Sequence, residues 1–337
     1  MAKQYRAASF SSIGERVRRC ALITPQECTT LAGVNSSRYT PVLHSVSYAG
    51  AWPGHSTLGV DDFLRKAVEL GFSSVALVGK RPHVSPLDYD CAARQALRKR
   101  IGELGLDLAA LMGYTDFTAG MDRGGIPSAE MNAAYVGSLA RLAADLGTPR
   151  LRIFTGFVRP AVAYDVQYGE LVRGLRMAAR EAARCGVTLL LQNHHDLAAH
   201  HQELVWLLKE AGEPNLKAAF DAWAPYLQGL RGDDLAAAVE VAGPWIGFTT
   251  VADYTVLPRF RYDSAHVNYV REDSAQVRAV APGTGEVDYA SFFRGLQRAG
   301  YSGYVAYEMC AVLEGGGSIE NLDGTARAFL KFLTKFS

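Results

Sequence analysis

Along most of this chain, short apolar runs alternate with longer runs whose apolar residues recur every three or four positions. The short runs are VLHSVS (42–47), SVALVG (74–79), LDLAALMG (106–113), RLRIFT (150–155), VTLLLQ (187–192), LKAAFD (216–221), IGFTTV (246–251) and YVAYE (304–308). Near-continuous apolar stretches of that length are the pattern of strands buried on both faces. Each precedes a helical run, at 60–71, 91–105, 129–147, 168–186, 201–212, 233–243, 287–300 and 319–336. Gly71, Gly105, Gly147, Gly186, Gly212 and Gly300 stand where a residue at positive φ closes a helix before the next strand. Eight strand–helix units with no antiparallel block between them predict an α/β fold, a (β/α)8 TIM barrel, because eight parallel strands close on themselves. An open doubly wound sheet is the alternative. Residues 1–40 show no period and read as an N-terminal extension to a barrel domain over 41–337.

Composition narrows the choice of partner. Lys and Arg number 35 against 34 Asp and Glu, a formal net charge of +1 without a like-charge block. That balance offers no electrostatic footprint for nucleic acid or for an anionic membrane. The expected partner is a small molecule, with room for a homo-oligomer. Cys20, Cys28, Cys91, Cys185 and Cys310 are odd in number and lack C-x-x-C spacing, so neither a disulfide framework nor a zinc knuckle is expected. No apolar segment of signal-peptide length opens the chain, and no stretch approaches the roughly 20 apolar residues of a membrane span. A soluble, cytoplasmic protein is the expectation.

The strand ends carry the candidate chemistry. Side chains at the carboxyl ends of neighbouring barrel strands converge on one point, which groups Gln192, His194, Asp221, Thr250 and Glu308. Two carboxylates, an imidazole and an amide oxygen form a hard N/O donor set suited to a divalent metal, Mn²⁺ first, with Mg²⁺, Co²⁺ or Zn²⁺ as alternatives. The bland role of Asp221 and Glu308 is to cap the following helices. His194 and His195 are adjacent and point different ways, so at most one of them is expected to reach the centre; His200 and His201 begin a helix and are expected at the surface. His44 in the first strand, the basic cluster Lys80, Arg81 and His83 after the second, and Arg259 and Arg261 in the long connection between Asp253 and Gly283 are candidate substrate contacts. Tyr48, Trp52, Tyr114, Phe117 and Trp223 follow strand ends and could stack on a sugar ring or fill the core. The first strand is not followed by G-x-G-x-x-G, which argues against a dinucleotide site. GGGS (315–318) reads equally as an anion-binding turn or as the start of the last helix.

The segment GTGEVDYASFFRGLQRAGYSGYVAYE (283–308) resembles the closing part of the sugar isomerase/epimerase superfamily, the xylose-isomerase-like TIM barrels. QNHHD resembles that family's Glu-Asn-His at the end of an inner strand, FDAW its Phe-Asp strand end, and TTVAD its His-x-x-Asp. The resemblance spans roughly residues 42–335 and implies one divalent metal held by Glu, Asp, His and Glu, with proton transfer beside the carbonyl of a sugar or polyol. Asp221 and Glu308 match as ligands, whereas Gln192 replaces a glutamate and Thr250 the histidine. Gln192, His194, Asp221 and Glu308 are therefore the expected metal shell, and Glu308 with His194 or His195 the expected catalytic pair. Since an amide cannot act as a base, a symmetric two-glutamate epimerase is disfavoured. The expectation is a metal-dependent sugar or sugar-phosphate isomerase or epimerase, with a lyase or dehydratase on a keto-sugar, glycoside or inosose, and a non-catalytic sugar-binding barrel, as alternatives.

Overall fold

The computed structural model describes residues 37–337 apart from residue 124, so the expected extension lies, except for its last four residues, outside the described residues. The barrel strands are β1 (Tyr39–His44), β2 (Ser74–Val78), β3 (Asp107–Met112), β4 (Arg150–Ile153), β5 (Thr188–Gln192), β6 (Leu216–Asp221) and β7 (Ile246–Val251). The chain then leaves the barrel through β8 (Asp253–Leu257), β9 (Phe260–Asp263), β10 (Asn268–Arg271) and β11 (Gln276–Val280), and returns as β12 (Gly303–Tyr307). The parallel sheet closes in the order β1-β12-β7-β6-β5-β4-β3-β2, with β1 paired to both β2 and β12. All eight predicted units are present. Around them lie α1 (Val60–Glu69), α2 (Cys91–Glu103), α3 (Ser128–Leu146), α4 (Tyr164–Ala183), α5 (His201–Ala211), the short α6 (Trp223–Leu227), α7 (Gly232–Ala242), α8 (Tyr289–Arg298) and α9 (Ile319–Leu333). No helix among the described residues is long and apolar enough to cross a membrane.

Because side chains alternate across a strand, each inner strand turns one set toward the helices and the other into the barrel. Leu43, Leu77, Leu151, Leu191, Phe220 and Val305 belong to the large core beneath the helices. Val42, Ala76, Ala109, Ala110, Met112, Leu190, Ala219, Phe248 and Ala306 form a separate buried cluster inside the sheet, more than half of it alanine. Two residues further along the same side come His44, Gln192, Asp221, Thr250 and Glu308, and Arg152 joins them from β4, where it pairs with Leu190; all six are buried. Alternation alone thus collects a polar ring above a small-residue layer.

The connection after β7 was expected as a loop and is instead antiparallel structure, with β8 paired to β11 and β9 to β10. Its base is tied down by Asp253, whose carboxylate accepts backbone N–H groups from Tyr254 (2.9 Å), Gly283 (2.8 Å), Gly285 (2.9 Å) and Val287 (3.3 Å). A Cβ on Gly285 would lie 2.3 Å from the Asp253 Oδ1 and 2.5 Å from the Tyr254 carbonyl, so only glycine lets the turn close on the carboxylate. Asp288 then caps α8, accepting from Ser291 N (3.0 Å). The GGGS segment also serves packing: Ser318 caps α9, and a Cβ on Gly317 would meet His55 at 2.5 Å.

Candidate functional site

The QNHH turn at the end of β5 is built by reciprocal bonds to β6. Asn193 accepts from Asp221 N (2.8 Å) and donates to the Asp221 carbonyl (3.0 Å), which fixes the two strand ends side by side. The Gln192 amide then donates to Asp221 Oδ2 (2.9 Å), while Oδ1 accepts from Trp223 N (2.9 Å) and Ala224 N (3.4 Å) at the start of α6. Asp221 is therefore both a helix cap and a member of the polar ring. A carboxylate only accepts, so the Gln192 side chain must turn its N–H toward it. Its Oε1 is left buried without a partner among the described residues.

Glu308 follows β12 and lies at the focus of the ring, buried, with its carboxyl held above the ordinary carboxylate range by burial. The Arg152 charge and the Thr250 and Gln192 side chains pull the other way, and Asp221 adds to the rise. Beneath it, His44 accepts from Val46 N at Nδ1 (3.0 Å), which puts the ring proton on Nε2, 3.8 Å from Glu308 Oε2. Burial and the Arg152 charge hold His44 well below the usual histidine value, so it stays neutral. Although expected as a substrate contact, it is wholly buried beside Glu308.

Arg152, on the inward side of β4, is a residue the sequence reading passed over. It is 1% exposed, and its Nε and Nη1 have no hydrogen-bond partner among the described residues. Its guanidinium carbon lies 3.9 Å from the Phe154 ring centroid and 4.8 Å from that of Tyr114, the face-on placement in which an aromatic ring stabilises a cation. The visible signal was RLRIF, two arginines alternating with apolar residues in a run otherwise typical of a fully buried strand.

A cavity of about 520 Å³ opens above these groups, with Glu308, Arg152, Gln192, His194, His195, Lys80 and Tyr114 in its wall. Lys80 lies 3.7 Å over the Tyr114 ring, and burial together with the Arg152 charge depresses its ammonium. A recess of about 20 Å³, lined by His194, Asp221, Trp223, Thr250 and Glu308, adjoins it. His194 reaches both spaces, and burial lowers its pKa. His195, at φ 71°, is stacked between Phe154 and Phe157 at 4.3 Å each and depressed to about 4 by burial, so it too is neutral. The rings gather what the backbone there resists, since left-handed φ is unfavourable for a residue with a Cβ.

Other candidates lie elsewhere. His83 is turned into packing, with Nδ1 on Ser45 Oγ (2.9 Å) and Nε2 on the Leu58 carbonyl (3.1 Å), so neither nitrogen is left for a substrate. Arg81 reaches the cavity wall but is exposed and bonded to Asp88 (2.7 Å). Arg259 pairs with Glu272 (3.0 Å) and Arg261 with Asp263 (3.8 Å), both on the exposed antiparallel excursion and away from the cavity wall. Tyr48 donates to Asp323 (2.8 Å) in the core, and Phe117 is fully buried there too. Trp223 lines the recess, 4.2 Å from Tyr254 between ring centroids. His201, expected at the surface, is buried, while His200 caps α5.

Gln192, Asp221 and Glu308 share the ring and His194 lines the recess beside it, yet the four side chains expected to hold a divalent ion do not make a donor set for one. Gln192 closes directly on Asp221, whose second oxygen is spent on backbone N–H groups. Thr250 brings no imidazole, and a guanidinium is already buried in the same ring. Among the described residues no three His, Cys, Asp or Glu side chains are grouped to hold a metal.

Comparison with known proteins agrees with the barrel. The chain is similar to fructoselysine 3-epimerase of Escherichia coli O157:H7, 21% identical over 76% of this chain and 87% of that protein. It is also similar to hydroxypyruvate isomerase of Escherichia coli K12, 25% identical over 51% of this chain and 60% of the relative. Among solved structures, D-psicose 3-epimerase with D-tagatose from Clostridium cellulolyticum H10 superposes with a TM-score of 0.66 at 16% identity, covering 88% of this chain and 99% of that one. The model of the xylose isomerase-like TIM barrel family matches residues 64–335, and the chain belongs to that family.

Proposed function

We propose that this protein is a carbohydrate isomerase in which Glu308 moves a proton between adjacent carbons of a small hydroxy-carbonyl substrate. The observation that carries this reading is Glu308 itself, a buried carboxylate at the centre of the ring that faces the 520 Å³ cavity and is raised by burial toward the range of an effective general base. The C–H bond beside the carbonyl breaks, its electrons pass to the carbonyl oxygen, and a planar enediolate forms. The same carboxyl then returns the proton to the former carbonyl carbon, while the neighbouring hydroxyl loses its own proton and becomes the new carbonyl. One base above one face of a cis-enediolate serves both carbons. His194, neutral and open to the same cavity, exchanges the oxygen proton. Two-sided epimerisation would need a second base, and Gln192 offers none. The relatives named as an epimerase and an isomerase support proton transfer as the chemical class.

The test is deuterium wash-in from deuterated water on a panel that includes hydroxypyruvate, fructoselysine, D-psicose and D-tagatose. The expected result is one deuterium at the carbon that was the carbonyl, together with the isomer. Dehydrated or shortened product would replace this reading with the lyase, and binding without exchange would replace it with a sugar-binding barrel.

A further inference from the structure

We infer that Arg152 supplies the positive charge of this site, polarising the substrate carbonyl and holding the enediolate oxygens in the role a divalent ion would otherwise fill. The inference rests on the isomerase reading above and adds the electrophile to it. Arg152 is 1% exposed, yet two of its three nitrogens have no protein partner among the described residues and the side chain forms part of the cavity wall. A buried cation left with free donors is an unfavourable arrangement unless a ligand completes it. The Phe154 and Tyr114 rings hold the guanidinium in place and leave its Nε and Nη1 without a protein partner among the described residues. A planar fork of N–H donors matches two adjacent oxygens in one plane, which is the shape of an enediolate.

The rest of the ring agrees. Gln192 and Asp221 meet directly at 2.9 Å, so no cation is needed to bridge two like charges at that point. Lys80, above the same Tyr114 ring, adds a second positive charge to the same wall. A fixed donor at the developing oxyanion is favourable because it needs no reorganisation as charge appears.

The experiment uses glycolohydroxamate, a planar mimic of an enediolate, on the full chain after treatment with EDTA. Calorimetry is expected to show binding by the metal-free protein that added Mn²⁺ does not change, and Arg152→Met is expected to lose about 100-fold or more in affinity. Binding that arises only with Mn²⁺ would overturn the inference. So would an Arg152→Met protein that binds as tightly as the parent. The Mn²⁺ comparison needs no variant, so it decides the matter even where Arg152→Met does not fold. Deuterium wash-in separates this inference from the proposed activity. A protein that binds the hydroxamate through Arg152 but exchanges no substrate proton keeps the oxyanion site and loses the isomerase reading. Exchange that survives in Arg152→Met does the reverse.

Discussion

Asp253 and Glu308 are both buried carboxylates placed just beyond neighbouring strands of one sheet, and their surroundings are opposite. Asp253 is saturated by four backbone N–H groups that bind it to the turn at Gly283–Gly285. Among the described residues no backbone N–H is aimed at the Glu308 carboxylate; its surroundings are the Thr250 and Gln192 side chains, a neutral His44, a cation and a cavity. A buried acid with every lone pair occupied is part of the architecture. One whose needs are left unmet is held ready for a ligand, and its raised pKa is the sign of that unmet need.

This contrast can be broken at either end. Glu308→Gln should lower the rate of deuterium wash-in about 10³-fold without lowering the melting temperature, and a variant that keeps its rate would remove Glu308 from the chemistry. Asp253→Ala should do the opposite, costing about 3 kcal/mol in urea unfolding while the folded fraction keeps its rate. Gly285→Ala should cost a similar amount, about 2–3 kcal/mol, by pushing a methyl group into that carboxylate; an unchanged midpoint would mean that the turn does not depend on the contact. The pH response sharpens the contrast further. Because burial raises the Glu308 carboxyl above its ordinary 4.5, the acid limb of kcat/KM should lie above the usual carboxylate range. The sign for stability follows from the same shift. A raised group favours the folded state fully below its unfolded pKa, and that contribution is lost as pH rises through the folded pKa. The urea midpoint of Glu308→Gln should therefore gain on that of the parent as pH climbs from 4.5 through the raised value. The smallest effect is expected from Arg259→Ala and Arg261→Ala, within about 0.5 kcal/mol and twofold in rate, because both pairs are exposed.

The barrel was legible because each buried strand and each helix carries its own periodicity, and eight repeats leave little choice of closure. Glu308, Gln192, Asp221 and Thr250 were legible for a related reason: each ends a run that strand alternation turns inward. Arg152 was not singled out, because it lies within a run rather than at its end. Only the parity set by Leu190 and Gln192 on the adjacent strand, where Arg152 is paired with Leu190, turns it to the inside. His83 shows the converse failure. A basic cluster after a strand says nothing of which member packs beneath Leu58 and Ser45 and which reaches the cavity. The role of Asp253 was equally hidden, since three of its four partners are backbone amides 30 to 34 residues away. The excursion over β8–β11 escaped because its short strands are half polar and exposed, without the apolar runs that marked the barrel.

The alanines beneath the ring bear on how this site could change. Ala76, Ala110, Ala219 and Ala306 form the layer on which the polar crown rests, and none of them lines the cavity. Enlarging one to valine would raise the crown by the width of a methyl group and shift the guanidinium relative to the carboxylate. Selection could thus retune the reach between the two, and with it the size of molecule accepted, through positions that never touch a substrate.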